Sequence, residues 1–112
     1  MTFEEVCEVV REFRRERDWD QFHVPKDLAI SISLEAAELL EHFQWSGADV
    51  AGDGKRDEML DELADVLVYC IHMADKLDAD IPEVIAAKME KNALKYPVEK
   101  SFGSAAKYSE LG

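Results

Sequence analysis

The chain has no apolar run near the ~18 residues a bilayer-spanning helix needs, which excludes a helical membrane anchor. Cysteine is scarce. Cys7 and Cys70 stand alone among apolar neighbours, with no Cys-x-x-Cys and no histidine at ligand spacing. That leaves a thiolate metal site unsupported, and both read as small buried hydrophobes in a reducing compartment, with a disulfide between them as the lesser alternative. Positive charge is also short: 13 Lys and Arg against 25 Asp and Glu give a net charge of −12. Such a field repels polyanions, so a nucleic-acid polymer is excluded as a partner. A small nucleotide stays open if cations screen its phosphates. Prolines are few, and Pro25, Pro82 and Pro97 each stand where a helical pattern starts or stops. The N-terminus, Met1-Thr2-Phe3-Glu4-Glu5, is acidic and shows no signal-peptide pattern, so the cytoplasm is the expected location.

What is present is helical periodicity. At 112 residues and 47% apolar, the chain is expected to be one domain, residues 1–112, around one core. Phe3, Val6, Val9, Val10 and Phe13 form a stripe on a first helix over 2–17, with Thr2 and Glu5 in a capping-box pattern. Arg11, Arg14, Arg15 and Arg17 then read as a solvated face. A second helix covers 25–45, a third 55–77, and a fourth runs from an Asp80 cap to Lys95. Between the second and third lies a glycine-rich flexible connector, and residues 98–112 show no period and read as an irregular tail. The fold class is all-α, a four-helix bundle. Met59, Leu60, Leu63, Leu67, Cys70, Ile71 and Ala74 give the third helix an apolar arc too broad for one partner helix, so another subunit should complete the bundle.

Two acidic pairs carry the chemistry. Glu35-x-x-Glu38 and Glu62-x-x-Asp65 each put two carboxylates on one side of a helix, beside rather than opposite its apolar stripe. If the two helices pack face to face, four carboxylates surround a small volume, which requires a cation between them. Oxygen-only ligands select Mg²⁺, with Mn²⁺ as a substitute, and suit phosphoanhydride hydrolysis. A single such pair is an ordinary solvated helix face; two on successive helices, both flush with apolar stripes, are less so. A di-iron centre uses similar parts but needs Glu-x-x-His, whereas His42 is four after Glu38 and His72 seven after Asp65.

Two further groups bear on a ligand. Trp19 and His23, in the connector before Pro25, either plug the bundle's end or stack on a flat ring. Lys88, Asn92 and Lys95 share a face at helical spacing, either solvated or gripping phosphates.

Several segments in order resemble the MazG-like nucleoside triphosphate pyrophosphohydrolases, particularly their dCTP pyrophosphatase subgroup. They are Asp18-Trp19-Asp20-Gln21-Phe22-His23, Glu35-x-x-Glu38 leading to Phe43-Gln44-Trp45, and Glu62-x-x-Asp65-Val66-Leu67-x-Tyr69. Further on come Lys88-Met89, Asn92, Lys95-Tyr96-Pro97 and Gly103-Ser104-Ala105-x-Lys107-Tyr108. The resemblance implies a homotetramer, a dimer of dimers, and Mg²⁺-dependent cleavage of a dNTP by water attack at the α-phosphorus. It implies metal binding by Glu35, Glu38, Glu62 and Asp65, with Glu38, beside Glu35, handling the attacking water. It gives Trp19, His23, Trp45 and Tyr69 to the base and sugar, and Lys88, Asn92, Lys95 and Tyr96 to the phosphates. Many relatives carry a Glu just before the first pair; here that residue is Leu34. Two other expectations compete: a non-catalytic helical interaction module, and a house-cleaning enzyme acting on many nucleotides.

Overall fold

A computed structural model describes residues 1–111. Among them there is no strand, and helices form where the apolar spacing and caps call for them: α1 Phe3–Glu16, α2 Pro25–Glu41, α3 Arg56–Lys76 and α4 Ile81–Lys95. Thr2 caps α1 by accepting the Glu5 amide at 3.1 Å, and Asp80 caps α4 by accepting the Glu83 amide at 3.1 Å. Pro25 and Pro82 lie in the first turns of α2 and α4, where a missing N–H costs nothing.

Two boundaries differ from the periodicity. α2 ends at Glu41 rather than near residue 45, because the chain turns there and Trp45 takes a positive φ of 65°. The segment after Pro97 is not wholly irregular: it contains a short helix α5, Val98–Ser101, and a 3₁₀ turn, Tyr108–Glu110. Pro97 itself is extended and, with its φ fixed near −61°, stands at the N-cap of α5. The connector between α2 and α3 also has internal order. Asp49 Oδ1 accepts from the amides of Asp53, Ala51 and Gly52 at 3.4, 3.2 and 3.0 Å, and these bonds, that of Asp53 foremost, hold its carboxyl below the usual range.

The chain divides into two units, Met1–Asp78 and the residues from Ala79 onward. In the first, α2 packs along α3, and α1 lies against α3. Cys7 and Val10 from α1, Leu28 from α2 and Ile71 from α3 are its buried apolar residues. Leu60, Leu63 and Leu67 on α3 stay about half exposed, as do Phe3, Val9 and Phe13 on α1. In the second unit α4 keeps Val84, Ile85 and Met89 exposed, and Tyr96 meets Tyr108 edge-on at 6.0 Å.

Arg11 and Arg14 do not belong to a solvated face. Both turn toward α3 and grip Asp75, Arg11 at 3.1 Å and Arg14 at 3.0 Å, while Arg15 and Arg17 stay exposed. Helical spacing cannot show this, because the carboxylate that recruits them lies more than sixty residues away.

Candidate active site

The first unit holds a cavity of about 400 Å³. Its aromatic side comes from Phe13, Trp19 and Tyr69, with Trp19 edge-on to Phe13 at 5.7 Å. Its polar side comes from His23, His72, Glu35 and Asp65. A second hollow of about 390 Å³ shares Trp19, His23 and Tyr69 and adds Phe22, Asp27 and Ser31. Trp19, His23 and Tyr69 thus line both hollows.

The connector that carries Trp19 and His23 is tied down from both neighbours. Asp20, at the start of a 3₁₀ turn (Asp20–Phe22), receives Lys76 Nζ from α3 at 3.0 Å and lies 3.5 Å from Arg14 Nε of α1. The Lys76 hydrogen bond is the main reason its carboxyl sits below the ordinary value. Asp18 allows the chain to turn here by taking a φ of 53°, a conformation Asp tolerates better than most.

The cavity's polar wall includes a buried histidine pair; the sequence points to His23 of the two and gives His72 no role in a pocket. His23 and His72 are 8% and 4% exposed, with ring centroids 4.4 Å apart. Arg14 reaches His72 Nδ1 at 3.0 Å and Asp75 at 3.0 Å with the same nitrogen. A guanidinium only donates, so Nδ1 must accept and the imidazole is neutral with its proton on Nε2. Burial, with help from His23 and Arg14, agrees and pushes the His72 pKa down to about 4. Burial also lowers the pKa of His23, whose Nδ1 is buried without a partner. One signal was available: His72 follows Tyr69 by three residues and therefore shares its helix face.

The four carboxylates are arranged unevenly. Glu35 is half-buried and lines the cavity with Asp65; its Oε2 is buried and has no hydrogen-bond partner. Burial raises its pKa, and Glu38, Asp65 and Glu62 raise it further, so each of the other three sits within electrostatic reach of Glu35. Glu38 is exposed. Glu62 is held by His42, whose Nε2 bonds its Oε2. Among the described residues no three such side chains stand together as a ready ligand set. An orphaned buried oxygen among mutually repelling carboxylates nonetheless suits a hard divalent cation, and the all-oxygen donor set favours Mg²⁺ or Mn²⁺.

Other expected residues fall elsewhere. Trp45 is 92% exposed and does not line the cavity. Lys88, Asn92, Lys95 and Tyr96 belong to the second unit, where Lys95 Nζ lies 4.8 Å from the Tyr108 ring and Asn92 approaches Met89 sulfur at 3.7 Å.

Residues 30–111 match the model of the MazG-like family. The chain belongs to the MazG-like family. Over 115 aligned residues it is 38% identical to dCTP pyrophosphatase 1 of Mus musculus and 36% identical to that of Homo sapiens, covering 98% of this chain and 68% of each relative. The crystal structure of a pyrophosphatase from Archaeoglobus fulgidus superimposes with a TM-score of 0.78 at 44% identity, over 84% of this chain and 91% of that one. The MazG-like match contains both carboxylate pairs and α4; Trp19 and His23 precede it but lie within the alignment to the longer relatives. Among the described residues, no helix is long and apolar enough to cross a membrane.

Proposed function

We propose that the protein, a nucleoside triphosphate pyrophosphohydrolase of the MazG-like family, cleaves dCTP or a modified dCTP to the monophosphate and pyrophosphate with the aid of Mg²⁺. The observation that carries this reading is a cavity in which aromatic walls, Trp19 and Tyr69, meet the acidic residues Glu35 and Asp65. A base held between the aromatics leaves its phosphates to the carboxylate end. When bound, Mg²⁺ or Mn²⁺ supplies the charge that offsets the carboxylates and phosphates and polarises the phosphoryl oxygen. Glu35, Glu62 and Asp65 would hold it, together with Glu38. Glu38 also orients the attacking water and takes its proton. As the water oxygen bonds to the α-phosphorus, the α–β anhydride bond breaks and its electron pair leaves with pyrophosphate. Lys88, Asn92, Lys95 and Tyr96 contact phosphates in this reading, on their chemistry and the family resemblance alone. Trp45 contacts the base or sugar on the resemblance.

The half-exposed leucines of α3 and the exposed apolar stripe of α1 favour assembly, and a homotetramer built as a dimer of dimers would cover them. Free Cys7 and Cys70 suit the reducing cytoplasm. The test is pyrophosphate release from each of the four dNTPs, with Mg²⁺ and with EDTA. Metal-dependent release fastest with dCTP supports the proposal. Equal rates across bases would favour a broad house-cleaning role, and no release would return the helical interaction module. Glu62→Gln should abolish turnover while circular dichroism stays unchanged; retained turnover would remove Glu62 from the site.

A further inference from the structure

We infer that His42 is a positioning residue for the carboxylate set, fixing Glu62 in the orientation in which it meets the cation. The inference rests on the reading that Glu62 is a metal ligand. His42 stands at the C-terminal cap of α2 and contacts α3 twice. Its ring Nε2 bonds Glu62 Oε2, and these side chains are only 19% and 20% exposed. Its carbonyl accepts Lys55 Nζ at 2.8 Å, and Lys55 is the residue that caps the start of α3. Lys55 and Glu62 lie about two helical turns apart. One residue of α2 thus holds α3 at its origin and again at the functional side chain.

The chemistry of the pair gives it direction. A carboxylate accepts only, so the imidazole donates through Nε2 and engages Oε2. Oε1 is then the oxygen left for a cation. A glutamate on an exposed helix face samples several rotamers, whereas this one is tethered at its tip before any ligand arrives. Partners of this outer kind commonly matter ~10–100-fold in metal affinity. The sequence spacing pointed the other way: four residues after Glu38, His42 had the wrong offset for a ligand, and its actual use is to hold one.

The experiment is Mn²⁺ titration of the full chain, followed by electron paramagnetic resonance, with thermal unfolding measured alongside. His42→Leu keeps bulk and removes the donor; it should bind Mn²⁺ about tenfold or more weakly with helix content unchanged. His42→Gln restores a donor and should recover most of the affinity, which a purely structural role for the ring would not produce. If His42→Leu fails to fold, His42→Asn, whose shorter amide falls short of Glu62, must show the same loss. Equal or tighter Mn²⁺ binding by the folded variant overturns the inference. Absence of Mn²⁺ binding by the unsubstituted protein overturns the metal reading itself, and the inference falls with it.

Discussion

Acid should destabilise this fold through His72 before most carboxylates titrate. The ring is 4% exposed and accepts from Arg14 at 3.0 Å, so protonating it would bury a cation against a guanidinium. Its pKa falls from 6.5 to about 4 on folding. A depressed histidine pKa means that the unfolded chain binds the extra proton first. The stabilisation is therefore complete above pH ~6.5 and is lost as pH falls from there toward ~4. Linkage over that window gives a loss of about 2 kcal/mol by pH ~5 and about 3 kcal/mol by pH ~4. Against a typical ~5–15 kcal/mol of total stability, that is a large share, and Tm should drop by about 10 °C at pH ~5. His23, buried beside it and depressed by the same burial, acts in the same direction; Glu35, with a raised pKa, acts in the opposite one. The comparison with His72→Asn isolates the one ring, since the amide oxygen still accepts from Arg14 but does not titrate. Urea unfolding of both proteins across this pH range should show the variant less stable at pH ~7 and its curve flatter below pH ~6.5. Ring-proton NMR should place the His72 midpoint near pH ~4. Parallel stability curves, or a midpoint near ~6.5, would refute the assignment.

Trp19→Ala removes one wall of the cavity and should raise KM for the preferred nucleotide about tenfold, the usual worth of one stacked base; an unchanged KM would take Trp19 out of base binding. Gly52→Ala places a Cβ 2.9 Å from Met59 and 3.3 Å from Phe43 at a φ of +69°, so thermal melting should show about 1–2 kcal/mol of lost stability, and an unaltered Tm would contradict the observed turn. Leu67→Glu puts a charge on the half-exposed arc of α3, and light scattering should then show a smaller particle than the unsubstituted protein; equal masses would place the subunit contact elsewhere.

Local information settled a good deal. Caps at Thr2 and Asp80, prolines in first turns and apolar spacing decide where helices begin and run, because each acts within a turn or two of backbone. Spacing also placed Glu35 beside the apolar stripe of its helix, and it is the carboxylate with a buried, unpartnered oxygen. Resemblance over many ordered segments added the MazG-like family, which spacing alone could not reach.

Long-range pairing lay beyond local patterns. Arg14 sits on α1 as an ordinary exposed-face residue would, and only Asp75, far along the chain, draws it inward to set the tautomer of His72. His42 reads as a mismatched ligand until α3 brings Glu62 to it. Trp45, close to a motif in sequence, ends up 92% exposed because the chain leaves the helix four residues earlier. The sequence alone therefore determined the helices and the acidic pairs, readable from neighbours a few residues apart, and the family, readable from ordered segments along nearly the whole chain. Tertiary structure decided which polar groups meet, because a hydrogen bond or ion pair depends on distance through space, and separation along the chain does not encode it.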